Sequence, residues 1–272
     1  MRRARKRRAI GFKAQGRAIS RLTAVYDDLT KFWDAAPQNQ FGTFVQKPIY
    51  KRLADIDALF VRMSKDWLNP PDEIAVMLFL RCHSAFRTAA GLAAAGQVAE
   101  SYVMNRAVLE YAAYALHLHR DAALRMIWLN RHQSAADMKA SRDALTHAKV
   151  LAAVTAVNQH AAERFEDLYQ HTIDFGGHPN ERSVTGNMQM VEETDRRVML
   201  AVFQHGDGPQ LDLALMTTAR CAMVAFEILQ GVGALNARFL SCSASTLRCP
   251  PFGKIYNQVR CELKSRSYQS TF

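Results

Sequence analysis

Apolar residues spaced three and four apart recur along most of the chain, the pattern of helices with one buried face. Ile19, Leu22, Val25, Leu29 and Trp33 mark a first helix, which Pro37 and Gly42 are expected to break. Leu53, Ile56, Leu59, Phe60 and Met63 mark a second, from Lys47 to Trp67. The run "NPPDE" (Asn69 to Glu73) is a start signal, with prolines in the opening turn and acids where the helix dipole favours them. It predicts a helix from Ile74 to about Ala95, whose "AAGLAAAG" end (Ala89 to Gly96) leaves room for another helix to approach closely.

Gln97 to about Arg120 is the most apolar helix of the chain. A shorter one follows Asp121, another spans Ser134 to about Val157, and Glu163 to Phe175 forms the next. Pro209 to Leu240 returns to the same periodicity. In between, "NMQMVEETDRRVMLAVFQHGDG" places apolar runs on either side of a polar "EETDRR", which reads as a β-hairpin near residues 188–205, with a helix as the rival. The expected fold class is all-α: a single helical bundle over residues 22–240 with one small hairpin.

Charge sharpens the boundaries. The formal net charge is +10, yet residues 1–21 hold nine Arg/Lys and no Asp/Glu, and residues 241–272 hold five Arg/Lys against Glu262. Positions 22–240 carry 21 basic and 24 acidic residues, a net of −3. The basic character therefore belongs to an N-terminal arm (1–21) and a C-terminal tail (241–272), and the arm suits non-specific contact with the phosphates of RNA or DNA. The longest apolar run, Ile74 to Leu80, is too short to cross a bilayer, and no membrane partner is expected. Five cysteines without a CxxC pair fit a reducing, cytoplasmic setting rather than a zinc ribbon or disulfide framework.

Two regions carry candidate chemistry. On the apolar helix, Arg106, Glu110, His117 and Arg120 fall within roughly 80° of one another on a helical wheel, either as an exposed strip or as the lining of a cleft. The stretch "HTIDFGGHPNER" (His171 to Arg182) has two histidines around a Gly-Gly break. As a helix stop, Gly176 would be the C-cap, Pro179 would prevent resumption and Asn180 would shape the turn. His171, Asp174 and His178 also form a weak metal-ligand candidate. No serine or cysteine nucleophile motif, phosphate-binding loop or cofactor signature is present.

"NRAVLEYAAYALHLHRD" (Asn105 to Asp121), followed by "LYQHTIDFGGHPNERSV" (Leu168 to Val184), resembles bacterial HEPN-like helical proteins, which pair an Arg-x3-Glu helix with a later Tyr…His-Pro-Asn stretch. Arg106, Glu110, Tyr169, His178, Pro179, Asn180 and Ser183 occupy those places, and the resemblance covers about residues 75–235. It implies a helical bundle, often a dimer, in phage-defence or toxin systems. It also implies metal-independent RNA cleavage by an Arg-x4–6-His pair, in which Arg holds phosphate and His assists the 2′-hydroxyl. Three pairs fit that spacing here (Arg125 to His132, Arg142 to His147, Arg164 to His171), against about 2.5 expected by chance.

The expected catalytic set is thus His178 or His171 as base with Arg106 or Arg164 on phosphate and Glu110 beside them. Tyr169, Asn180, Arg120 and His117 are expected to contact substrate, with no metal or cofactor. The rival is a non-catalytic interaction module in which these side chains hold the bundle together; a metal-dependent hydrolase is weaker.

Overall fold

The computed structural model describes residues 28–66 and 72–232. The basic arm, the start of the first expected helix, residues 67–71, the end of the last expected helix (233–240), the C-terminal tail and its three cysteines lie outside the described residues. Ten α-helices and one two-stranded sheet make up the described part: an all-α bundle with a small hairpin.

Helix α1 (Asp28–Gln46) runs straight through Pro37 and Gly42, contrary to the expected break. Both residues lie on a lightly buried helix, and tertiary contacts override their helix-breaking tendency. Those contacts are polar. Thr43 Oγ1 donates to Ala94 O (2.9 Å), Gln40 Nε2 to Gly91 O (3.0 Å) and Asn39 Nδ2 to Ala95 O (3.1 Å). The bonds to Ala94 O and Ala95 O satisfy carbonyls at the end of the third helix, and the bond to Gly91 O adds to the one it accepts from Ala95 N.

Helices α2 (Ile49–Asp66), α3 (Glu73–Ala94) and α4 (Val98–His119) follow. Asp72 caps α3, accepting from Ala75 N at 3.0 Å. The α3–α4 turn depends on Gly96, whose φ is +80° and whose missing Cβ lets His205 N reach Gly96 O at 2.7 Å. The core is one cluster. Phe60, Phe79, Phe86, Leu109, Leu116, Leu118, Leu215 and Phe226 are almost wholly buried where α2, α3, α4 and α10 (Pro209–Gln230) meet. Inside it, Asn105 of α4 donates to Thr218 of α10 at 3.0 Å.

Helices α5 (Ala122–Leu129), α6 (Ala135–Ala144), α7 (His147–Thr155) and α8 (Gln159–Thr172) wrap one side of α4. The expected helix from Ser134 to Val157 is therefore two. The chain turns at Leu145–Thr146, where Thr146 is extended (φ −64°, ψ 150°), and so begins a new helix at His147. After α8 a π-helical turn (Ile173–Gly177) leads to α9 (Glu181–Thr185). The hairpin then pairs β1 (Met188–Glu193) with β2 (Arg196–Ala201), antiparallel, with Met190 opposite Met199.

Gly176 is not a C-cap. Among the described glycines only Gly96 and Gly208 have positive φ. A Cβ on Gly176 would lie 2.3 Å from Ala99 O and 2.8 Å from Tyr102 Cβ, so glycine is there to let the widened turn press against α4.

Candidate functional site

Three helices of unlike character meet at the outer face of α4. Arg106 and Glu110, one turn apart, point toward α8, whose Tyr169 reaches across to them. Arg106 Nε donates to Glu110 Oε1 (2.9 Å), Arg106 Nη2 donates to the Tyr169 hydroxyl (2.9 Å), and that hydroxyl donates to Glu110 Oε1 (3.0 Å). The guanidinium also sits 5.1 Å from the Tyr169 ring centre, in range of a cation–π contact.

His147, the first residue of α7, completes the cluster. Its imidazole stacks on Tyr169 with 4.4 Å between ring centres, and its Nε2 lies 2.5 Å from Glu166 Oε2. The Nε2–H of the ring donates to that carboxylate, which leaves Nδ1 as the acceptor in this tautomer. Tyr114, Leu145, Val150 and Phe165 close a cleft of about 170 Å³ around these groups. Arg106, Glu110 and His147, which line it, are each about one-third exposed, so water and a small part of a ligand have access.

The local field follows from these contacts. Partial burial and the Glu110 carboxylate push the Tyr169 phenol up to about 12, so it stays protonated at neutral pH. Burial opposes the Arg106 charge, but the hydrogen bond and charge of Glu110 outweigh it and hold the guanidinium above its ordinary value. Burial likewise opposes the Glu166 charge, and hydrogen bonds from Gln170 and His147 hold that carboxylate below its usual range.

Of the residues singled out from sequence, Arg106, Glu110 and Tyr169 are brought together. His178 is not among them. It is exposed, does not line the cleft, and contributes its backbone carbonyl to Ser183 Oγ (2.7 Å) and Asn180 N (2.9 Å). The turn that carries it is directed by a capping box: Asn180 Oδ1 accepts from Ser183 N, and Ser183 Oγ accepts from Asn180 N. Asn180 Nδ2 also ties the turn to Ile173 O at 3.2 Å. Asn180 thus has a structural task.

His171 is buried against Tyr102 and Phe175, with ring centres at 5.4 and 4.5 Å. Burial, with smaller contributions from Arg220 and Arg182, pushes its imidazole down to about 4, far below what a base working near neutrality needs. Arg164 forks onto Glu227 of α10 and lines a different groove of about 350 Å³ with Asp167, Leu168 and Arg220. The α4 stripe divides: His117 Nε2 donates to Ala144 O at 3.2 Å and, with the exposed Arg120, borders a third groove toward α5, α6 and α7. Asp174 pairs with Arg182 at 2.9 Å, and no group of three potential metal ligands exists among the described residues. The His171/Asp174/His178 set is therefore overturned.

Sequence reasoning missed His147 and Glu166 as site residues. A signal existed, since "RDALTH" ends on His147. Its arginine, Arg142, is exposed and reaches back to Met138 of its own helix, so the spacing pointed to the right histidine with the wrong partner. No helix of the described residues is long and apolar enough to cross a membrane. Set against known proteins, the chain matches no family model, no curated protein and no solved structure.

Proposed function

We propose that this is a nucleic-acid-associated helical protein whose Arg106–Tyr169–His147 cleft cleaves RNA without a metal, in the bacterial or phage defence or toxin setting that the HEPN-like resemblance implies. One observation carries the reading: an imidazole oriented by a carboxylate at 2.5 Å stands directly beside an arginine and a protonated phenol. Base, cation and acid are the three parts that phosphodiester transfer requires.

In the cleft, His147 Nδ1 takes the proton of a ribose 2′-hydroxyl, and the 2′-oxygen attacks the neighbouring phosphorus. Arg106 offers its remaining N–H groups to the anionic oxygens. The P–O5′ bond breaks as Tyr169 gives its proton to the departing oxygen, leaving a 2′,3′-cyclic phosphate and a 5′-hydroxyl. The imidazolium and the phenolate exchange protons with solvent before the next turnover. The described residues hold 20 basic against 23 acidic side chains, so affinity for the polyanion falls to the arm of residues 1–21.

The test is cleavage of a single-stranded RNA by the full chain in the presence of EDTA. Cyclic-phosphate ends that vanish in His147→Gln, with an unchanged melting temperature, are the expected result. Inert wild-type protein, or undiminished cleavage by His147→Gln, overturns it.

A second reading is favoured by the fact that Glu110 and Tyr169 already occupy Arg106 Nε and Nη2. Then the cluster is a polar tie between α4 and α8 in a non-catalytic interaction module. Under that reading Arg106→Ala lowers the melting temperature and no RNA is cleaved by any version of the chain.

A further inference from the structure

The β1–β2 hairpin stands largely by itself. Outside its own ladder its main neighbour is α9. Of its strand residues only Val191 and Val198, which face each other, are even part-buried. Met188, Met190, Met199 and Leu200 are between 41% and 61% exposed. An isolated two-stranded hairpin is marginally stable in water, and a further strand or a packed face is what secures one.

The ladder shows which backbone groups are open. Val202 N donates to Asn187 O at 2.7 Å, and these two residues continue the strand register. Hydrogen-bonded pairs alternate along an antiparallel ladder, so Gln189/Leu200, Val191/Val198 and Glu193/Arg196 exchange bonds as well. Met188, Met190 and Glu192 on β1, and Arg197, Met199 and Ala201 on β2, therefore turn their amides and carbonyls outward. No backbone group outside the hairpin meets them among the described residues.

Edges of natural sheets are blunted by lysine, proline or a bulge. The outer edge of β2 is not: its register is unbroken, and Val198 to Ala201 holds no charge and no proline. It is also self-complementary. Paired antiparallel with a second β2 about Met199, the two Met199 residues exchange both backbone bonds, and each Arg197 exchanges both with an Ala201. Val198 then lies opposite Leu200, and no arginine faces another. The β1 edge matches itself less well, because centring on Met190 sets Gln189 against Val191 and Glu192 against Met188. RNA finds no uncommitted cation on the hairpin, where Arg196 pairs with Glu193 and Arg197 with Glu192.

We propose that the outer edge of β2 pairs with β2 of a second copy of this chain, antiparallel about Met199, giving a four-stranded sheet in the order β1–β2–β2–β1. The two-fold axis passes between the Met199 residues, and Met188, Met190 and Met199 of both copies share one face of the sheet.

Sedimentation velocity of the full chain, over a range of concentrations in reducing buffer, tests this. Wild type is expected to pass from monomer to dimer as concentration rises. Met199→Pro removes the outward amide at the centre of the contact, once in each copy, and leaves the β1–β2 bonds in place. It is expected to weaken association at least about tenfold. Met190→Pro makes the same change on the β1 edge and is expected to dimerise like wild type. Met199→Cys reads the register without touching the backbone. A two-fold contact sets residue 199 of the two copies about 5.5 Å apart between Cα atoms, within disulfide reach. Under mild oxidation that variant should give a covalent dimer that wild type and Met190→Cys do not.

A wild-type chain that stays monomeric at its highest soluble concentration overturns the proposal. So does a dimer that survives Met199→Pro unweakened, one that Met190→Pro weakens equally, or a Met199→Cys chain that does not cross-link. None of these outcomes bears on whether His147 cleaves RNA.

Discussion

The His147 imidazole lies nearly parallel to the Tyr169 ring, 23° between planes and 4.4 Å between centres, and so joins two polar pairs that would otherwise be separate. On one side is His147–Glu166, on the other Arg106–Glu110. Tyr169 is the common wall.

Tyr169→Phe keeps the ring stack and removes only the hydroxyl between Arg106 and Glu110. The loss of two hydrogen bonds in a half-open site is expected to cost about 1–2 kcal/mol in a urea melt. If the phenol is also the proton donor, RNA cleavage falls far more than stability does; a rate unchanged within twofold would remove Tyr169 from the chemistry.

Glycine 176 gives a sharper test of the fold. Gly176→Ala drives a methyl group against the Ala99 carbonyl and Tyr102, neither of which can move without shifting α4, and a loss of at least about 2 kcal/mol is expected. Gly42→Ala has nothing within 4 Å and sits inside α1, so it should stabilise that helix by about 0.5–1 kcal/mol. Equal effects from the two substitutions would show that helix propensity alone, and not close approach, governs Gly176.

Stability should also fall in mild acid. The folded His171 imidazole is held down to about 4, while the unfolded value is about 6.5. Between those values the unfolded chain binds more protons, so unfolding becomes easier as pH falls through that window, by up to about 3 kcal/mol. Urea melts at pH 7.5 and 4.5 measure the loss, and His171→Phe should remove most of it. A His171→Phe variant with the same pH slope as wild type would assign the loss to other groups.

Asn180→Ala removes the capping box of α9 and the bond to Ile173 O together, at about 1–2 kcal/mol. The expectation is lowered stability with the His147 cleft intact, read as an unchanged RNA cleavage rate at a temperature below the transition. A large fall in rate there would return Asn180 to the substrate-binding set.

The helices were legible because their apolar spacing is set by burial, and the hairpin because polar "EETDRR" interrupts two apolar runs. The α6–α7 break was not, since nothing at Leu145–Thr146 is a strong breaker and the turn serves to bring His147 onto α8. Pro37 misled because propensity is local, whereas three side chains of α1 find carbonyl partners on α3. For the site, Arg106, Glu110 and Tyr169 stood out by residue type and spacing. His147 needed the fold: its partner Glu166 is nineteen positions away on another helix, a separation that no short motif encodes.

The grip of Asn39, Gln40 and Thr43 on α3 has a consequence for how the molecule comes apart. An outer helix attached to the end of α3 by three side-chain hydrogen bonds, and to the segment after β2 through Gln204 and the Phe32–Phe203 contact, can lift away without opening the Phe60–Phe226 core. Its amides should then exchange with deuterium through a local opening, well ahead of those of α4 and α10. The bundle of α2 to α10 would be the part that survives as a cooperative unit, and α1 a detachable outrigger to it.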